Sequence, residues 1–167
     1  HFIININKEN ENYVGLFGNL SSDANVSNLS ISGDVKGKNY VGGISGRNEG
    51  NINNVYAKVN VNGNQNVGGI IGYNKGYINT TFSTGNVIGN QAVGGLIGFN
   101  DGSIEEAYYG GKIQGKNNVG ALIGFSSNEE ISKLNYNGTI IYYDDIITDY
   151  IKPINAVGNN YTFNHFN

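Results

Sequence analysis

The side chains that could do chemistry in this chain are its carboxylates. Glu105–Glu106, Glu129–Glu130 and the group Asp144, Asp145 and Asp149 are the local concentrations. Two carboxyl groups flanking one bond serve glycoside hydrolysis: one protonates the leaving oxygen, the other activates water or attacks the sugar. A metal-dependent peptidase instead needs ligands in a spacing such as H-E-x-x-H. This chain has two His, at its opposite ends (His1 and His165), and no Cys. No zinc centre is assembled from those two, so no metal, no cofactor and no catalytic residue is assigned. The Asp144, Asp145 and Asp149 group lacks the ligand spacing of a calcium loop. Whether Glu105 has a carboxylate partner depends on what the fold sets beside it.

The elements that carry these residues are repeats. Val41-Gly42-Gly43-Ile44-Ser45-Gly46 returns as Val67-Gly68-Gly69-Ile70-Ile71-Gly72, then from Val93 and from Val119, at intervals of 26 residues. A looser copy starts at Val14. A fixed period of this size predicts a solenoid, and solenoids build extended surfaces. Counting 26 positions from Val41, with an offset of one or two residues in the first and last copies, three positions are aliphatic in each copy. Position 4 is Leu16, Ile44, Ile70, Leu96 and Leu122; position 12 is Val26, Ile52, Ile78, Ile104 and Ile131; position 21 is Val35, Val61, Val87, Ile113 and Ile140. Short β-branched runs punctuated by Gly read as strands rather than helices. The expectation is an all-β, right-handed parallel β-solenoid of about five to six rungs with three short strands each. In that register the equivalents of Glu105 are Asn53 and Asn79, so no acidic ladder forms and a carbohydrate-cleaving β-helix is disfavoured.

Other columns carry polar and aromatic groups. Asn48, Asn74 and Asn100 share position 8, where stacked amides can hydrogen-bond from rung to rung. Tyr56, Phe82 and Tyr108 share position 16 and are expected to stack. Arg47, Tyr73, Phe99 and Phe125 share position 7; facing outward, they would form a stripe suited to sugars or extended peptides. The Gly columns mark corners with positive φ or places where rungs approach closely.

Composition narrows the partners. Charged residues make up 14% of the chain and the net charge is −3, with no basic stripe, which argues against nucleic acid. No apolar run reaches the length of a membrane span. Tyr (12) and Phe (7) supply packing mass that a disordered chain lacks. Residues 1–143 are assigned to the repeats, with rungs starting near 14, 41, 67, 93 and 119. Residues 144–167, which hold Pro153 and many aromatics, are assigned to a C-terminal cap or linker. The chain, without a Met, reads as a fragment of a larger protein. An open N-terminal edge is a place for edge-to-edge self-association.

The block Val93 to Asn100, followed by Gly102 and Tyr108, resembles the GLUG-motif repeat family. Gly15-Leu16-Phe17-Gly18 and Gly95-Leu96-Ile97-Gly98 match well, Gly69-Ile70-Ile71-Gly72 closely. Ser45 and Ala121 depart from the pattern. The resemblance, over about residues 14 to 143, implies an extracellular or cell-surface setting in bacteria. It implies a non-catalytic, adhesin-like stalk or binding scaffold, with a host glycan or host surface protein as partner. Such repeats also flank metallopeptidases that cleave immunoglobulin A, so an accessory, substrate-presenting domain is the alternative.

Overall fold

The structure, a computed structural model, describes residues 1–128, 131–137 and 139–142. Among them the chain forms strands and no helix, and the strands pair in parallel as a β-solenoid of about five turns. Through the centre of the stack, partners are one sequence period apart: Ile52 pairs with Ile78, Val67 with Val93, Phe99 with Phe125. The repeat is therefore one climb of the coil. Neighbouring strands in any sheet lie about 4.8 Å apart, which sets the rise per rung.

Three sheets run along the stack. The long face carries Asn25–Lys36 and Asn51–Asn62 as unbroken strands. In the next rungs it splits into Tyr77–Ser83 with Val87–Ile88, and Ser103–Tyr109 with Lys112–Gly115. The second sheet holds Asn39–Gly42, Gln65–Gly68, Gln91–Gly94 and Asn117–Gly120. The third holds Phe17–Leu20, Ser45–Asn48, Ile71–Asn74, Ile97–Asn100 and Ile123–Ser126.

A rung has three strands where the long face is unbroken and four where it splits, and the aliphatic columns are distributed unevenly among the three sheets. Positions 12 and 21 share the long face: Ile52 and Val61 are both inward residues of Asn51–Asn62. Position 4 lies outside the strands. Ile44, Ile70 and Leu96 fill the bend between the second and third sheets and are buried there. The second sheet's inward side chain is the Val at position 1, buried in every rung from Val41 to Val119. One Val beside a Gly gives no alternation to read, so this strand leaves little trace in the pattern.

Positive backbone angles explain how a rung bends. Among the described residues, nine non-Gly residues have φ between 47° and 58°, and they occupy two columns only. Position 14 holds Asn28, Asn54, Thr80 and Glu106; position 26 holds Tyr13, Tyr40, Asn66, Ala92 and Asn118. A left-handed residue inside a strand acts as a bulge: it adds one residue, breaks the in–out alternation and bends the chain. Asn53 and Asn54 accordingly both face out, while Ile52 and Val55 on either side face in. The glycine columns have a different role. Gly33 is the one glycine with positive φ among the described residues. At position 6 a Cβ on Gly98 would sit 2.4 Å from the Asn66 carbonyl carbon and the Val67 nitrogen. Glycine there lets the third sheet's backbone rest on the second sheet's.

A continuous apolar cluster runs through the bore from Val14 to Ile123, with a few buried polar side chains beside it. Its volume is balanced between columns. At position 17 the chain has Ile31, Ala57 and Ser83 but then Tyr109, fully buried. Facing it, a Cβ on Gly95 would lie 2.3 Å from the Tyr109 ring. The Tyr109 hydroxyl donates to the Gly85 carbonyl at 2.9 Å, and burial pushes its phenol well above the usual tyrosine range.

At the N-terminal end, Phe2–Asn7 pairs with Ile31–Lys36 alone, so the other half of Asn25–Lys36 has a partner on one side only among the described residues. Phe2 and Ile3 are exposed there, at 62% and 82%. The segment assigned to a cap, 144–167, lies outside the described residues.

Candidate functional site

The second and third sheets meet at a concave crease that runs along the axis. Its floor is the position-6 glycine column, pressed against the backbone of position 26 one rung earlier: Gly72 on Tyr40, Gly98 on Asn66, Gly124 on Ala92. One wall is position 7, where Tyr73, Phe99 and Phe125 are half-buried with part of each ring open to the groove. The opposite wall is position 26, with Tyr40, Asn66, Ala92 and Asn118; Gln65 and Gln91 stand at its rim. The left-handed residue is what puts positions 25 and 26 on the same side. The groove encloses about 420 Å³.

The rings form one row that changes columns. Tyr13 stacks on Tyr40 with centroids 4.7 Å apart and planes within 6°. Tyr40 then meets Tyr73 at 6.1 Å across the crease, and Tyr73 meets Phe99 edge-on at 5.2 Å. Phe99 stacks on Phe125 at 5.0 Å. The expected position-7 stripe is thus the C-terminal part of a five-ring row whose first members come from position 26. Arg47, at position 7 of the rung before Tyr73, holds its guanidinium 5.8 Å from the Tyr73 ring centre and pairs with Glu49. The two tyrosines of position 26 are the residues that column-by-column reading misses; their spacing from the next rings is not a multiple of the period.

The position-8 asparagines stand behind this wall, inside the coil and fully buried. Asn48 Nδ2 donates to Asn74 Oδ1, and Asn74 Nδ2 to Asn100 Oδ1, each at 2.9 Å. Asn100 passes the chain to Ser126 Oγ at 3.2 Å. Each amide also closes its own turn: Asn74 Oδ1 accepts from the Gly76 N–H and Asn74 Nδ2 donates to the Gly76 carbonyl. The ladder fixes the third sheet's register, and with it the ring row on its outer side.

The position-16 aromatics face outward on the long face instead. Tyr56 is 41% exposed and pairs with the Thr84 hydroxyl; Phe82 and Tyr108 have centroids 6.3 Å apart. Glu105 and Glu106 are on this face too. Glu105 accepts from the Tyr77 hydroxyl at 2.9 Å, which holds the Tyr77 phenol above its ordinary value. Glu106 accepts from the Thr80 hydroxyl at 3.3 Å. The rung beneath them carries Asn79 and Thr80 in register, not carboxylates. Among the described residues no group of three or more His, Asp or Glu is placed to hold a metal ion. Glu129, Glu130, Asp144, Asp145, Asp149 and His165 lie outside the described residues. The ring nitrogens of His1 pair with the Ser30 and Ser32 hydroxyls.

No helix among the described residues is long and apolar enough to cross a membrane. Comparison with family models, curated proteins and solved structures finds no match.

Proposed function

We propose that this chain is a non-catalytic repeat module of a bacterial cell-surface or secreted protein, an adhesin-like stalk that binds an extended ligand along its side. The observation that carries the reading is the five-ring row from Tyr13 to Phe125, four of whose rings, Tyr40, Tyr73, Phe99 and Phe125, line a groove parallel to the axis. A globular domain places a few aromatics around a pocket. A solenoid places one per rung, so its contact surface lengthens with the stack. Half-buried rings beside amides offer apolar area and polar handles together, as small-molecule and chain-ligand sites do. The GLUG-motif resemblance agrees with a surface setting.

The test is a glycan and host-matrix protein array probed with this chain, with Tyr73→Ala and with Phe99→Ala. Binding by the parent that both variants lose supports the reading. Binding that both variants retain, or an array that stays blank, contradicts it.

A further inference from the structure

We infer that the groove takes a neutral polysaccharide chain laid along the solenoid axis, an inference that rests on the binding-module reading above. Four features of the crease select that ligand class. First, none of its lining side chains is charged. The nearest cations flank a single ring: Arg47, paired with Glu49, and Lys75 lie 5.8 and 6.0 Å from the Tyr73 ring centre. The lining side chains further along are neutral, so a polyanion finds no row of counter-charges. Binding would therefore owe little to long-range electrostatics and change little with salt.

Second, the walls are sheet faces. Their backbone N–H and C=O groups are spent in the parallel ladders, for example between Gln91–Gly94 and its neighbours on both sides. Strand addition, one of the main ways an extended peptide is held, needs main-chain pairing to a free edge. The crease has no such edge, so a peptide would depend on side chains alone.

Third, the polar groups on offer are amides. Among the described residues, no hydrogen bond engages the side-chain amides of Asn66 and Asn118, while Gln65 reaches Gln91 at a long 3.4 Å. An amide donates and accepts, which matches sugar hydroxyls that do the same. Between Asn66 and Asn118 the wall drops to Ala92, which leaves a hollow opposite the Phe99 ring.

Fourth, the arrangement repeats with the rungs. An extended β-1,4-linked sugar chain advances per unit by a length close to the rung spacing of about 4.8 Å, so successive units meet successive ring–amide pairs. A long chain then gains from engaging several rungs at once.

The experiment is isothermal titration of the chain with neutral glucan, mannan and xylan oligosaccharides of two to eight units. Polyuronate oligomers and an uncharged extended peptide are run alongside, at low and high salt. The expected result is a neutral series whose affinity rises with length and then levels, with little salt dependence. Phe99→Ala should weaken it by about tenfold. Gln91→Ala and Asn66→Gly remove amides without disturbing the bore, and Asn66→Gly keeps a residue that accepts positive φ; both should weaken binding while melting like the parent. Preference for uronates, or a steep salt dependence, overturns the inference. Peptide binding that Phe99→Ala abolishes, with no neutral sugar bound, overturns the glycan assignment and leaves the binding-module reading standing. If no ligand of any class responds to the three substitutions, both fall.

Discussion

Asn48 and Asn74, one period apart in sequence, share a buried hydrogen bond of 2.9 Å from amide nitrogen to amide oxygen. The same geometry recurs between Asn74 and Asn100. Because each amide also satisfies the N–H and C=O of the glycine two residues on, Asn74 makes four hydrogen bonds with no water. Removing the middle amide strands groups on both neighbours. Asn74→Ala is expected to cost about 3–5 kcal/mol in urea unfolding, since each stranded buried group costs about 1–3 kcal/mol. Asn74→Asp adds a sign test. A buried carboxyl has its pKa raised above the unfolded value of about 3.9. Its neutral form contributes fully below that pH and is lost as pH rises through the folded value. This variant should be more stable in acid than at pH 7, the reverse of ordinary acid denaturation.

Ser83 presents the opposite situation. Its hydroxyl is buried in the bore and has no hydrogen-bond partner. The same position holds Ala57 one rung earlier. Ser83→Ala removes a desolvated group without opening much space and should stabilise the protein by about 1 kcal/mol. A raised midpoint in urea with an unchanged slope is the expected result.

Thr80 carries backbone strain. It is β-branched at φ 47°, in a column where Asn28 and Asn54 sit comfortably. The left-handed conformation costs an ordinary L-residue about 1–2 kcal/mol, and Asn tolerates it best after Gly. Thr80→Asn is expected to raise stability by about 1 kcal/mol and to extend the outer amide contact between Asn54 and Asn28. Thermal unfolding reads the gain.

Tyr109 makes alkaline stability informative. Its buried hydroxyl bonds the Gly85 carbonyl, and the folded phenol sits above its unfolded value of about 10. The neutral phenol's contribution is present below that pH and disappears as pH rises towards the folded value. Tyr109→Phe should therefore be less stable than the parent by about 1 kcal/mol at pH 7. The gap should close above about pH 10.

Gly98 forms the floor of the groove. With backbone 2.4 Å from where its Cβ would stand, Gly98→Ala must push the two sheets apart. Overpacking of this kind costs about 1–3 kcal/mol or more. The variant should unfold earlier and lose the crease.

Much of this architecture is legible in the residues themselves. The spacing of Val41, Val67, Val93 and Val119 announces the coil, and the aliphatic columns announce its apolar bore. What stays hidden has a physical cause. The bend residues at position 26 include Tyr40 and Ala92, types with no preference for positive φ, so nothing in them marks a bulge. Only the tertiary arrangement over-determines that conformation. The same bulge brings Tyr13 and Tyr40 into line with Tyr73, so the row of rings is broken in sequence register and continuous in space. The Gly at position 6 is conspicuous in sequence, but whether it marks positive φ or close approach is decided by the neighbouring sheet.

The most direct measurement is amide NMR of the chain titrated with a neutral β-linked hexasaccharide. The account predicts shifts running along the crease, at Gln65, Asn66, Tyr73, Gln91, Ala92, Phe99 and Asn118. Shifts centred on Tyr56, Phe82 and Tyr108 of the long face, or none at all, would contradict it.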